Sequence, residues 1–257
     1  MFNKSATIVR RGYEVGKVKV LTVLTRSYLI VLEGLDGAGK TTISYLLTET
    51  LKNWLGSETV LGTFEPNYTF ACGDYIKSVL QKRVEQASRP FALAFAANRA
   101  DHLEREVEPF LSSGNKVVVC DRYYLSSLAY QTTQETPLEY VWSINKGSHI
   151  PDLTLFLDAD TKICYERIKH RGLSLELFEG NLAEKRQIYE VAIRFLQTIN
   201  NEKIVKIDAN GAIQQVLENG FDRCAVKAVI CDLSDDCSRK AQNGFSAYMQ
   251  DLGELAL

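Results

Sequence analysis

Residues 28–42 read YLIVLEGLDGAGKTT: an apolar run with β-branched residues, a glycine-rich loop, then a lysine and two threonines. Gly34-Leu35-Asp36-Gly37-Ala38-Gly39-Lys40-Thr41 satisfies GxxxxGK[ST], and the flanks predict a strand before it and a helix after it. Glycines let main-chain N–H groups turn inward around an anion, and the following helix aims its positive end at the same place. Lys40 is expected at the β- and γ-phosphates, and the Thr41 hydroxyl is suited to Mg²⁺. The segment from Gly34 to Thr42 is thus predicted to bind a nucleoside triphosphate.

A carboxylate at the end of a second apolar strand usually completes such a site. KVVVCD (116–121) supplies Asp121 as a second magnesium residue, and Arg122 sets a positive charge beside the triphosphate. YLIVLEG, TVLGTF, KVVVCD, DLTLFLD and KIVKID read as five strands, separated by helical patterns. Continuous apolar runs ending in carboxylates suit strands covered on both faces. The expected fold is α/β: a P-loop NTPase-type, three-layer, doubly wound fold with a five-stranded parallel sheet flanked by helices. Residues 88–114 read as one long helix capped by Ser88 and ended by Gly114, and 124–147 as mostly helical.

The chain has 257 residues, 46% hydrophobic and 24% charged, with a net charge of −2. That composition suits a globular domain and offers no bulk attraction for nucleic acid or acidic membranes. No apolar run reaches membrane-spanning length. Six scattered cysteines form no CxxC pair. Reduced thiols and a cytoplasmic location are expected, with a metal or disulfide among the last three disfavoured. Residues 1–27 carry six basic residues against Glu14 alone. They read as an N-terminal extension ahead of the first strand, with an organellar transit peptide as the alternative. Residues 28–221 form the expected P-loop domain, closed by a helix over 210–221. Residues 222–257 are a tail of weak periodicity.

Phe91, Phe95, Arg99, Leu103, Val107 and Leu111 fall on one i, i+4 row, so Arg99 interrupts an apolar stripe. A guanidinium there needs a carboxylate or a polar ligand. Spacing alone leaves both open.

Together these segments resemble the thymidylate kinase family of nucleoside monophosphate kinases. The resemblance rests on Leu32-Glu33-Gly34 with Asp36 and Lys40-Thr41-Thr42, FAANR (95–99), DRYYLSSLAYQ (121–131), PDLTLFLDAD (151–160) and ERIKHRG (166–172). It covers about residues 28–208. It implies transfer of the γ-phosphoryl of ATP to dTMP with Mg²⁺, and a homodimer formed through the helix at 89–113. By the same resemblance Asp36 approaches the acceptor sugar, Phe95 stacks on thymine, and Arg99, Ser126 and Gln131 meet the base. Arg122 lies between donor and acceptor phosphates, Glu65-Pro66 forms the turn after the second strand, and Glu179 belongs to a lid at about 169–181.

Two family arginines are replaced, by Phe64 and Leu177, and the phosphate loop has Gly37-Ala38 with no arginine. Lys169 and Arg171 are the expected substitutes, Arg171 being counted with Lys40, Asp121 and Arg122 as catalytic. The alternatives are a kinase for another nucleoside monophosphate or a deoxynucleoside, or a nucleotide-binding homologue with degraded catalysis.

Overall fold

The computed structural model describes residues 26–170, 181–213 and 215–217. The expectations for residues 1–25, for 171–180 (with Arg171, Leu177 and Glu179) and for the tail from 218 lie outside the described residues.

β1 (Tyr28–Gly34) is buried along its whole length and occupies the middle of the sheet. With β2 (Val60–Phe64), β3 (Val117–Asp121), β4 (Leu153–Asp158) and β5 (Ile204–Asp208), the order is β2-β3-β1-β4-β5. Every pairing is parallel. The three central strands are apolar runs because helices cover both faces, while the edge strands β2 and β5 alternate in burial. This is the expected doubly wound P-loop fold. The chain leaves β1 for β2 and returns through β3 to lie beside β1. The crevice at that switch point gathers the loops leaving the C-terminal ends of β1 and β3.

α1 (Lys40–Leu55) starts directly after the phosphate loop and buries Ile43, Leu47 and Leu51 on one face. α2 (Gly73–Leu80) packs Ile76, Val79 and Leu80 against Phe91 and Ala94 of α3 (Ser88–His102). Beyond α3, the helix predicted over 88–114 takes one π-helical turn (Leu103–Val107) and ends as α4 (Glu108–Ser112). Pro109 explains the disturbance, since it lacks an N–H and crowds the carbonyl four residues back. Ser88 is the first helical residue and Ala87 the cap, one position earlier than the sequence suggested. Gly114, at φ +82°, ends the run as expected.

The stretch 124–147, read as mostly helical, holds two helices: α5 (Tyr124–Gln131) and α6 (Leu138–Ser143). Thr136 breaks it by donating its hydroxyl to the Gln131 carbonyl (2.6 Å), and Pro137 then caps α6. α7 (Thr161–His170) and α8 (Leu182–Asn200) lie between β4 and β5 in the chain. Of the closing helix predicted over 210–221, residues 213 and 215–217 are helical.

Candidate active site

Leu32 of β1 stands opposite Asp121 of β3. This register sets the phosphate loop beside Asp121-Arg122, and Thr41 donates its hydroxyl to Asp121 Oδ2 (2.6 Å). Asp121 Oδ1 is buried without a hydrogen-bond partner. An orphaned carboxylate oxygen next to a threonine hydroxyl is a hard-oxygen donor set and fits Mg²⁺. Among the described residues, no cluster of three His, Cys, Asp or Glu side chains offers a metal cage.

Gly39 is the N-cap of α1, in the left-handed region, and no side chain caps the helix. The free N–H groups of the first turn therefore face the loop, where an anion would meet them. Lys40 Nζ is buried and donates to the carbonyls of Gly34 (3.0 Å) and Leu35 (2.7 Å). Burial, with the neighbouring charge of Arg122, pulls its pKa down to about 8, against the opposing pull of Asp36, Asp121 and Glu33.

Arg122 has φ +70°, rare for a non-glycine residue, and such strain gathers at functional sites. Its guanidinium pairs with the Asp36 carboxylate and lies over the Tyr130 ring, 5.7 Å from the centroid. Burial raises the Asp36 carboxyl, but the charges of Arg122 and Lys40 outweigh it and leave the pKa below the ordinary value.

Asp36, Glu65, Pro66, Phe95, Arg99, Arg122, Ser126 and Gln131 line one pocket, so the eight described substrate-binding candidates are brought together. Gln131 Oε1 is buried there without a hydrogen-bond partner. A second, more open cavity holds Thr41, Asp121 and the half-exposed Phe64, and shares Glu65, Pro66, Tyr68 and Arg122 with the first. Arg122 thus stands in the wall of both.

Arg99 is almost wholly buried and engaged. Nε donates to Glu65 Oε2 (2.7 Å), Nη2 to Ser127 Oγ (3.0 Å) and Nη1 to Asn145 Oδ1. Glu65 Oε1 in turn faces His102 Nδ1 (3.1 Å), whose Nε2 meets Glu106 (3.0 Å) and Thr63 (2.9 Å). The interrupted stripe is therefore closed by an ion pair, while Arg99 also forms part of the pocket wall. Ser126 lines the pocket too, but its hydroxyl donates to Glu33 (2.6 Å).

Four contributors escaped the sequence reading. Ser127 and Tyr130 line the pocket from α5, and their i, i+4 spacing from Gln131 and Ser126 respectively was the available signal. Glu33 carried no signal beyond its place in the motif. Arg167 of α7 donates to the carbonyls of Gly37 and Ala38 (both 3.4 Å) and of Gly211 (3.2 Å). Arg167 thus reaches the phosphate loop from α7, whereas Lys169 is exposed to solvent. Helix geometry decides this: Cys164 rests on the loop, and Lys169 is turned about 140° away from it.

A family model described as Thymidylate kinase matches residues 32–219. The chain belongs to the thymidylate kinase family. It is 37% identical over 190 residues to a probable thymidylate kinase of Staphylothermus marinus, covering 74% of this chain and 90% of that relative. To the thymidylate kinase of Limosilactobacillus reuteri it is 34% identical over 215 residues, covering 80% and 97%. The crystal structure of the Ehrlichia chaffeensis thymidylate kinase matches with a TM-score of 0.55 at 27% identity, over 71% of this chain and 91% of that one. The Candida albicans thymidylate kinase gives 0.65 at 25%, over 80% and 94%.

Within this thymidylate kinase family domain, Gly37 has φ +81°, and a Cβ there would lie 2.4 Å from the Cys164 carbonyl oxygen. An arginine at this loop position has no room. Gly37→Ala is expected to destabilise the chain by about 1–3 kcal/mol in urea unfolding and to weaken ATP binding. Lys40 yields a second prediction. A bound triphosphate raises its pKa again, so at pH 8 binding should take up about half a proton. Calorimetry in buffers of different ionisation enthalpy measures that number, and identical heats in all buffers would refute it.

Proposed function

We propose that the chain transfers the γ-phosphoryl group of ATP to dTMP, giving dTDP and ADP. The observation that carries this reading is the position of Arg122, in the wall shared by a pocket holding Phe95, Arg99 and Gln131 and a cavity holding Thr41 and Asp121. A base entering the first pocket meets the Phe95 face, the orphaned Gln131 Oε1 and the Arg99–Ser127 edge. Asp36, kept ionised and paired with Arg122, is available to the acceptor sugar.

The chemistry is mostly positioning and charge neutralisation. Lys40, released from the Gly34 and Leu35 carbonyls, tracks the β- and γ-phosphates, and the α1 N-terminus adds N–H donors. Arg122 faces the oxygens that gain charge as the phosphoryl group moves. Mg²⁺ held through Thr41 and Asp121 would neutralise phosphate charge. A homodimer through the outer face of α3 is part of this reading, supported by exposed Leu93, Ala97 and Ala100. So is a cytoplasmic location: among the described residues Cys72, Cys120 and Cys164 are free thiols, and no helix is long and apolar enough to cross a membrane.

A coupled ADP-release assay over dTMP, UMP, CMP, AMP and thymidine tests the assignment. Turnover on dTMP should exceed that on the other monophosphates at least about tenfold. Turnover on thymidine but not dTMP, or ATP binding without acceptor-dependent turnover, would sink it. Phe64 is half exposed at the mouth of the second cavity. By the family resemblance Phe64 stands where an arginine grips the acceptor phosphate, so Phe64→Arg should lower the KM for dTMP about three- to tenfold, with a smaller effect on the KM for ATP.

A further inference from the structure

Glu33 closes β1, is fully buried, and touches neither cavity. Its carboxylate is nonetheless crowded with donors. Oε1 accepts from the N–H of Tyr123 (2.8 Å) and of Ser126 (3.0 Å). Oε2 accepts from the hydroxyls of Ser126 (2.6 Å) and Tyr189 (3.2 Å). We propose that Glu33 is a positioning residue that fixes Arg122 for phosphoryl transfer.

The main chain supports this first. Arg122 sits in the left-handed region between β3 and α5. Its own N–H donates to Leu32 O (2.8 Å), and the next N–H, from Tyr123, goes to Glu33. The strained residue is pinned on both sides by consecutive residues of β1. α5 has no side-chain cap of its own, and Ser126 is its third residue. Glu33 therefore supplies from another strand the acceptor that a cap would give.

The side chains continue the linkage. Ser126 Oγ, held by Glu33, is 3.4 Å from Arg122 Nη1 and accepts from it. Tyr189 donates toward Glu33 and the Gly34 carbonyl (3.1 Å), and its ring meets Tyr130 edge-on at 5.8 Å. Tyr130 lies under the Arg122 guanidinium, and its hydroxyl accepts from the Asp36 N–H (3.2 Å). Glu33 thus sets where the arginine turns and what its guanidinium rests on. Burial raises the Glu33 carboxyl above its ordinary pKa, with the Ser126 and Tyr123 bonds and the Arg122 charge opposing.

This rests on the phosphoryl-transfer reading above, and steady-state kinetics of the full chain separate the two. Glu33→Gln keeps the reach to both N–H groups, and the Ser126 and Tyr189 hydroxyls rotate to accept from its amide. Glu33→Asp keeps the charge but draws the carboxylate back by ~1.5 Å. Positioning predicts that Glu33→Asp lowers kcat by about 10²-fold, with the KM for ATP within about threefold of the parent. Glu33→Gln should retain at least about a third of kcat. Tyr189→Phe, an isosteric change that preserves packing, should cost about three- to tenfold in kcat. In an Arg122→Ala background all three should leave kcat within about twofold, because the group being positioned is gone. Equal losses with and without Arg122, a Gln variant as poor as the Asp variant, or losses confined to KM would overturn the assignment of Glu33 alone. A parent chain inactive on dTMP would overturn both readings.

Discussion

One alignment governs the chemistry of this chain: Leu32 of β1 lies opposite Asp121 of β3. Parallel pairing sets both strands ending in the same direction, so the loop after β1 and the Asp121-Arg122 turn share a crevice. Slipping the register by one residue would reverse which face each β3 side chain takes, and would part Thr41 from Asp121. The buried central strands make such a slip costly, because Val117–Cys120 would lose the side chains packed against them on both faces of the sheet. The geometry of a two-residue site is thus underwritten by apolar strands that never touch a nucleotide.

The pocket wall on the α3 side is organised differently. Arg99, Glu65, His102, Glu106 and Thr63 form a continuous polar chain through the α3 side of the molecule. Burying such charges costs desolvation that their pairing only partly offsets, so the chain is better read as fixing a conformation than as adding stability. Losing one partner is another matter: an unpaired Glu65 would be expected to cost about 3–5 kcal/mol. A substitution at Arg99 therefore registers in folding as well as in any ligand contact. Kinetic and stability measurements on it have to be read together.

Much of this was legible in the chain itself. The phosphate loop, the five strands and their parallel arrangement emerge from apolar runs and a motif whose context could be checked locally. The residues that line the first pocket also stand out by their positions in the motifs that carry the family resemblance. What escaped depended on distance in space without a local signature. Glu33 appears as the middle letter of a motif; its four donors come from β3's turn, α5 and α8. Arg167 was passed over for Lys169, because the choice between them depends on which face of α7 meets the loop. The division at 132–137 was missed because a threonine hydroxyl bonding back to Gln131 leaves little trace in hydrophobic periodicity. The ion pair under Arg99 was one of two accounts that spacing left open, and only the position of Glu65 separates them.

Gly37 began as a gap in the expected charge of the loop. A Cβ added there would meet the Cys164 main chain, which has no rotamer with which to yield. Arg167 fastens the same junction by holding the Gly37 and Ala38 carbonyls together with Gly211. Loop and α7 therefore behave mechanically as a strut and its socket. Room for a side chain at residue 37 could therefore come only from moving α7 as a whole.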